Sequence, residues 1–193
     1  MLSNLNKYNI ILASNSPRRR ELLKDLDIDF TVKVLHGIDE SYPPETPTPL
    51  IAERIASAKA DAYRSLIIGN ELIITADTIV VLGDLVLGKP HDKDEARHML
   101  RALSGNTHQV ITGVSVTTAQ RQETFSAITH VVFAPLDDDE IDHYVENYLP
   151  LDKAGAYGIQ EWIGCMGISH IDGSFYNVMG LPLHRLYQVL KTF

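Results

Sequence analysis

Short apolar segments suited to strands alternate along the chain with segments of helical periodicity, and this alternation limits the fold more than any other feature. Tyr8–Ser14 is predicted to be a buried strand, and Pro17–Leu26 a helix. A second helix is expected from Thr48 to about Ser65, and the next apolar segment contains a hairpin signal at Gly83-Asp84. Hairpins pair strands antiparallel, whereas strand–helix–strand units pair them parallel. We therefore expect an α/β or α+β fold with a mixed sheet.

The same alternation continues to the end of the chain. "DFTVKVLHG" predicts a second strand with Phe30, Val32 and Val34 on one face. Further predicted elements are a helix from the Asp92 to Glu95 capping box to about Leu103, strands at His108–Thr118 and Glu123–Ala134, a helix opened by "DDDEID", and a last helix from about Pro182. "PLDKAGAYGIQEWIG" is an irregular segment whose composition suits a binding loop and equally an ordinary surface loop. No linker separates independent domains, and 193 residues suit one domain.

Charge and composition exclude several classes of protein. A net charge of −8 argues against general nucleic-acid binding, because such a surface repels a phosphate backbone. No apolar run approaches the roughly 20 residues that span a bilayer, so no membrane partner is expected. The N-terminal segment resembles a first strand rather than a signal peptide, which makes the cytoplasm the expected location. Cys165 is the only cysteine, so an intrachain disulfide is impossible.

A helix start with three arginines is the first candidate site. Ser16 followed by Pro17 is a strong start signal, but Arg18, Arg19 and Arg20 then fill the first turn, where acidic residues are preferred. An anion bound at this turn would relieve the conflict, since free backbone N–H groups and guanidinium groups both bind phosphate. Side chains leave a helix about 100° apart, so at most two of the three can point into one site. Arg18 and Arg19 are the better candidates, and Arg20 is expected at the surface; a solvated basic face is the alternative.

Two carboxylate positions could serve catalysis or metal binding. Asp77 follows the apolar run Leu72–Ala76, which would place it near the carboxyl end of a strand, the usual edge for ligand sites. An aspartate there can hold Mg²⁺ or take a proton from water, although a turn or cap role is equally compatible with the spacing. Asp39-Glu40 supplies a second carboxylate pair that could share a metal.

Two lysines and one amide complete the candidates. Lys59 lies in a predicted helix, and Lys89 precedes a proline in "LGKP", which holds it in extended backbone geometry. Either could be an ordinary surface lysine. Gln160 can present both a donor and an acceptor to a nucleobase. The chain lacks paired zinc-ligand spacing, a Walker-type phosphate loop, a dinucleotide-binding glycine motif and a nucleophile elbow. These residues together indicate an enzyme acting on a nucleotide or another polyphosphate, without indicating which bond it cleaves.

Five segments of the chain, in order, resemble the signatures of the Maf (septum formation) family. They are "LASNSPRRRELL", "ADTIVVLGDLVLGKP", "LSGNTHQVITGV", "DKAGAYGIQ" and "GSFYNVMGLPL", and the resemblance covers nearly the whole chain. It implies one domain over residues 1–193, with an α/β fold of two lobes around a twisted mixed sheet and a cleft between the lobes. It also implies a nucleoside triphosphate pyrophosphatase that uses Mg²⁺ or Mn²⁺ and releases a nucleoside monophosphate and pyrophosphate. A homodimer is a further implication.

The resemblance also assigns roles by motif position. Asp77 is the expected proton acceptor, and Asp77 with Glu40 would hold the metal. Whether Asp77 acts as base, metal ligand or both stays open. Substrate choice is expected at Arg18, Thr78 and Gln160, and phosphate contacts at Ser14, Arg19, Lys59 and Lys89.

The subfamily follows from two of these positions. Relatives that prefer 7-methyl-GTP typically carry Trp and Gln where this chain has Arg18 and Thr78, so the chain resembles the dTTP/UTP group. Modified uridine triphosphates are expected substrates too, which would give the enzyme a house-cleaning role. Hydrolysis of 7-methyl-GTP and a nucleotide-sensing role in division control are the alternatives.

Overall fold

Helices and strands alternate in the computed structural model, which describes residues 2–193. The strands are β1 Asn9–Leu12, β2 Thr31–Val32, β3 Glu71–Leu82, β4 Leu85–Leu87, β5 Thr107–Thr117, β6 Gln122–Phe133 and β7 Ile168–Asp172. The α-helices are α1 Pro17–Lys24, α2 Thr48–Tyr63, α3 Lys93–Leu103, α4 Asp138–Tyr148, α5 Trp162–Gly167, α6 Phe175–Met179 and α7 Leu183–Leu190. None of the helices in this described part is long and apolar enough to span a membrane.

The strands form one mixed sheet. Its order is β2-β1-β3-β5-β6-β7, and β4 pairs with β3 outside this path. Strand β1 is parallel to both β2 and β3, with Leu12 opposite Val32 and Ile74. The β3–β4 and β6–β7 pairs are antiparallel. The predicted α/β class with a mixed sheet is therefore confirmed, and the hairpin turns at Gly83, whose φ of 59° suits glycine.

The chain divides into two compact units, in agreement with the two lobes that the family resemblance implies. Unit 1 comprises Met1–Asp77, Thr112–Ala127 and Gly180–Phe193, and unit 2 comprises Thr78–Ile111 and Ile128–Met179. In unit 1, helices α1 and α2 each bury apolar side chains, and three of the four residues of β1 are buried. In unit 2 a cluster of buried side chains joins α3, α4 and the segment after α4, with Leu100, Phe133 and Tyr144 fully enclosed.

Local signals placed the helix starts correctly. Ser16 caps α1 and Asp92 caps α3, each accepting a hydrogen bond from the backbone N–H three residues on. The acidic segment opens α4 through a capping box between Asp137 and Glu140. Helix α2 begins at Thr48, although its cap position is Pro47, which provides no side-chain hydrogen bond.

The second strand is much shorter than predicted. Only Thr31 and Val32 pair with β1, and both are exposed, because β2 lies at the edge of the sheet. The chain leaves the ladder when the Tyr63 hydroxyl donates to the Lys33 carbonyl at 2.9 Å and accepts from the Leu35 N–H at 2.7 Å. A side chain from α2 therefore replaces the next strand-pairing hydrogen bonds.

The segment between α4 and α7 is more regular than its sequence suggests. Its first part is irregular as predicted, with short 3₁₀ turns at Pro150–Asp152 and Ala154–Ala156. Helices α5 and α6 and strand β7 follow; none was predicted, because elements of five or six residues are too short to show a hydrophobic period.

Candidate active site

At the start of α1 two of the three arginines are half-buried and one is exposed. The Ser16 hydroxyl accepts from the Arg19 N–H at 3.3 Å, and the Ser14 hydroxyl accepts from the Ser16 N–H at 3.2 Å. Arg18 and Arg19 are half-buried, whereas Arg20 is exposed. The prediction that Arg20 lies at the surface is confirmed. Successive side chains leave the helix about 100° apart, so three consecutive arginines cannot all face one site.

Residues of unit 1 hold the Arg19 side chain in place through hydrogen bonds. Its Nε donates to the Gly180 carbonyl at 2.8 Å, and its Nη1 lies 3.5 Å from the Ser14 hydroxyl oxygen. Burial lowers the pKa of Arg19, while the nearby carboxylates of Asp77 and Glu40 act in the opposite direction. A guanidinium stays protonated under such opposing influences, so Arg19 supplies a fixed positive charge beside two carboxylates.

Two carboxylates converge on one lysine in unit 1. The Lys59 ammonium lies 2.8 Å from Asp77 Oδ1 and 3.1 Å from Glu40 Oε2. The side chains of Lys59 and Asp77 are 14% and 16% exposed, whereas that of Glu40 is 56% exposed. The structure thus brings together Ser14, Arg19, Glu40, Lys59 and Asp77 from four separate stretches of sequence.

The position of Asp77 within its strand differs from the prediction. Strand β3 does not end near Ala76 but continues to Leu82, so Asp77 lies inside it. The pairing of β3 with β1, however, ends at Ile74, whose carbonyl accepts the last hydrogen bond from the Ala13 N–H at 2.9 Å. Asp77 therefore lies beyond the end of the parallel pairing, at the edge of parallel strands where ligand sites usually form.

Helix α2 places Lys59 by packing unusually close to β5. Ala52 and Ala56 are fully buried, and the Thr75 hydroxyl donates to the Ala56 carbonyl at 2.7 Å. A Cβ added to Gly113 would lie 2.2 Å from the Ala52 carbonyl oxygen. The absence of a side chain at Gly113 is therefore what allows α2 to approach the sheet and bring Lys59 to Asp77.

The other three candidate residues belong to unit 2. Thr78 follows Asp77 in β3 and is half-buried, and Lys89 is exposed in the segment after β4. Gln160 is exposed and lines a groove of about 530 Å³ together with Ile168 and Phe175. The Gly155 N–H donates to the Gly88 carbonyl at 3.0 Å, so the segment carrying Gln160 is tied to the segment carrying Lys89.

Sequence reasoning missed the polar residues that support Gln160. Lys153 is 8% exposed and its ammonium lies 2.7 Å from Asp152 Oδ1 and 3.1 Å from Glu161 Oε1. Glu161 also accepts from the hydroxyl of Tyr144, which is fully buried on α4. The only signal in the sequence was a lysine within a stretch of small residues, and that does not indicate its partners.

The carboxylates of Asp77 and Glu40 fit a divalent metal ion in their chemistry. Both point an oxygen at a single cation, the Lys59 ammonium, and Mg²⁺ and Mn²⁺ prefer oxygen ligands. Among residues 2–193 no group of three or more His, Cys, Asp or Glu side chains could hold a metal ion. Two carboxylates, with water and substrate phosphate completing the shell, is the usual arrangement for Mg²⁺.

Comparison with known proteins gives matches over almost the full length. The family model described as Maf-like protein matches residues 9–193. A dTTP/UTP pyrophosphatase of Phocaeicola vulgatus is 60% identical over 191 residues, 99% of each chain. One from Flavobacterium johnsoniae is 45% identical over 97% of this chain and 96% of its own. Among solved structures, a HAM1 protein from Coxiella burnetii has a TM-score of 0.49 and 17% identity, covering 96% of this chain and all of that one.

Proposed function

The chain belongs to the Maf-like protein family, and from that premise we propose that it hydrolyses dTTP and UTP to the nucleoside monophosphate and pyrophosphate. The convergence of Asp77, Glu40 and Lys59 beside Arg19 carries the proposal, because a nucleoside triphosphate requires both an activated water and compensation of phosphate charge. The names of relatives at 45–60% identity favour this activity over 7-methyl-GTP hydrolysis and over a purely sensing role.

Asp77 is the proposed proton acceptor. Its hydrogen bond to Lys59 fixes one carboxylate oxygen, so the other can orient the water that attacks the α-phosphorus and take its proton. Glu40, which is more exposed, reaches the same ammonium from the solvent side. Bound Mg²⁺ or Mn²⁺, held by these two carboxylates, would supply charge compensation for the phosphate oxygens.

The cationic side chains are proposed to stabilise the departing pyrophosphate. Arg19 presents a guanidinium held by Gly180, which suits bidentate contact with phosphate oxygens. Lys59 already contacts both carboxylates and can contact a phosphate oxygen with its remaining N–H group. Lys89 is a further proposed phosphate contact, and Ser14 the proposed neutral contact.

Arg18, Thr78 and Gln160 are the proposed specificity residues. Gln160 lines a groove large enough for a nucleobase, and its amide can both donate and accept. Uridine triphosphates modified on the base belong to the same proposed substrate class. We further propose a cytoplasmic enzyme that forms a homodimer, as the family resemblance implies; light scattering on the purified protein tests the second point.

Product analysis tests the function directly. The protein is incubated with Mg²⁺ or Mn²⁺ and, in separate reactions, with dTTP, UTP, GTP and 7-methyl-GTP. Monophosphate and pyrophosphate from dTTP and UTP, lost on chelation with EDTA, are the expected result. Preference for 7-methyl-GTP would overturn the assignment of specificity, and binding without turnover would replace the enzyme with a sensor.

Asp77→Asn tests the proposed base. Turnover should fall by about 10³-fold or more, with nucleotide binding retained, because the amide cannot accept the proton. Asp84→Asn is the matched control, since Asp84 is exposed in the hairpin turn that follows the same strand. Turnover by Asp77→Asn within a few-fold of the wild-type rate would exclude the role.

A further inference from the structure

A four-residue turn carries Gln160, and its two ends are joined by the backbone. The Glu161 N–H donates to the Gly158 carbonyl at 3.0 Å, which leaves Ile159 and Gln160 at the two central positions. Ile159 is buried in the core of unit 2, whereas Gln160 is exposed. The turn therefore fixes the position of the Gln160 Cα within the turn. The Gly158–Glu161 backbone hydrogen bond does not fix the orientation of the whole turn relative to the rest of unit 2.

A single buried hydroxyl contacts both ends of this turn. Tyr144 on α4 accepts from the Gly158 N–H at 3.0 Å and donates to the carboxylate of Glu161. The Tyr144 side chain is fully buried, and burial together with the Glu161 carboxylate raises the pKa of its hydroxyl, so it remains a donor at neutral pH. Helix α4 thus anchors the first and last residues of the turn through one atom.

The Glu161 carboxylate is held from its other side as well. The ammonium of Lys153, only 9% exposed, lies 3.1 Å from Glu161 Oε1. A carboxylate held by a hydroxyl donor on one oxygen and by an ammonium on the other has little freedom to rotate. The last residue of the turn is consequently as well anchored as the first.

The Gln160 amide packs directly against this anchored turn. A Cβ built on Gly158 would lie 2.8 Å from Glu161 Cδ and 3.0 Å from Gln160 Nε2. The amide nitrogen and the carboxylate therefore occupy the space beside Gly158, and movement of the turn must move the amide.

We infer that Tyr144 is a positioning residue that sets substrate choice through Gln160, an inference that rests on the proposed function. Uracil presents an N–H donor at position 3 beside a carbonyl, whereas cytosine presents an acceptor beside an amino group. An amide free to turn over could satisfy either base, because its oxygen and nitrogen exchange places. Discrimination of UTP from CTP therefore requires an amide whose orientation is held. The Gln160 amide nitrogen packs beside Gly158, whose N–H the Tyr144 hydroxyl holds, and this contact supplies the restraint.

A double-mutant cycle tests the inference, with kcat and KM measured for UTP and CTP. Tyr144→Phe should lower the ratio of kcat/KM for UTP to that for CTP by about tenfold, through KM for UTP, with kcat within about twofold. Gln160→Ala should lower the ratio at least as much, and Tyr144→Phe/Gln160→Ala should match Gln160→Ala alone. Tyr148→Phe is the matched control: Tyr148 stacks on Tyr144 at 5.1 Å but is 39% exposed, so the ratio should not change.

The possible outcomes separate the inference from the function on which it rests. If the wild type hydrolyses UTP and Tyr144→Phe lowers only the melting temperature, Tyr144 is structural and the inference fails while the function stands. The inference also fails, with the function intact, if the double variant lowers the UTP/CTP ratio by the product of the two single-variant factors, because the two residues then act independently. If the wild type hydrolyses neither dTTP nor UTP, the proposed function fails and the inference with it.

A second variant covers the case in which Tyr144→Phe does not fold. Glu161→Ala removes the carboxylate that accepts from the Tyr144 hydroxyl and leaves Asp152 as the partner of Lys153. It should lower the UTP/CTP ratio, again through KM and by no more than Gln160→Ala does. An unchanged ratio in folded Glu161→Ala would overturn the inference.

Discussion

A methyl group added at Gly113 should impair catalysis although Gly113 has no proposed contact with substrate. The Cβ of alanine at this position would lie 2.2 Å from the Ala52 carbonyl oxygen, 2.3 Å from its carbon and 2.4 Å from the Glu53 nitrogen. All three atoms are helix backbone, which cannot rotate away as a side chain could. Helix α2 must therefore move.

The size of that movement follows from the geometry. Ordinary contact begins at 3.4 Å, so the Ala52 carbonyl must retreat from β5 by about 1.2 Å. A rigid shift of α2 carries Lys59 with it and lengthens its 2.8 Å contact with Asp77 to about 4 Å. Overpacking of this kind costs about 1–3 kcal/mol of stability, and misplacement of a catalytic group by about 1 Å can cost about 10²-fold in rate.

Steady-state hydrolysis of dTTP by Gly113→Ala, with thermal melting measured on the same preparation, checks this prediction. We expect a lower melting temperature and a fall of about 10²-fold in kcat/KM measured well below it. Gly69→Ala is the control, since Gly69 is an exposed glycine of unit 1 whose nearest atom to a new Cβ is a side-chain oxygen at 3.8 Å. A folded Gly113→Ala protein with wild-type kcat/KM would refute the argument that close packing of α2 places Lys59.

Two further predictions concern single side chains. Arg19→Ala should reduce kcat/KM for dTTP by about 10²-fold or more because it removes a held charge, whereas exposed Arg20→Ala should stay within about twofold; equal losses measured in the two variants would contradict the assignment. Burial lowers the pKa of His108 to about 4 from 6.5, so between these values the unfolded chain binds more protons than the folded one and stability falls as pH falls. The free energy of unfolding, measured with denaturant at a series of pH values, should fall by about 3 kcal/mol between pH 6.5 and pH 4 because of this group. That fall should be absent in His108→Gln, and an identical pH dependence in the two proteins would contradict the prediction.

Local sequence signals predicted the elements whose cause lies within one turn of chain. The caps at Ser16 and Asp92, the capping box that opens α4, and the hairpin at Gly83 all depend on residues at most three positions apart. The capping box predicted for α3 is only half formed, because the Glu95 carboxylate accepts from the His91 N–H rather than from that of Asp92. The same reasoning placed Asp77 near the end of its strand, because Asp77 follows the apolar run Leu72–Ala76. In the structure Ile79, Val80 and Val81 are buried again, and β3 continues past Asp77 to Leu82.

Residue types and family signatures in the sequence identified the candidate catalytic and specificity residues, but not how their charges are paired. Glu40, Lys59 and Asp77 are far apart in the chain, yet both carboxylates contact one ammonium, and the close approach of α2 at Gly113 brings that ammonium to β3. Such contacts depend on strand register and helix packing rather than on spacing in sequence. By itself the sequence determined the alternation of elements, the helix starts and the chemical groups available. The tertiary structure decided which of those groups meet, because each meeting requires several packed elements to hold two distant residues within hydrogen-bond distance.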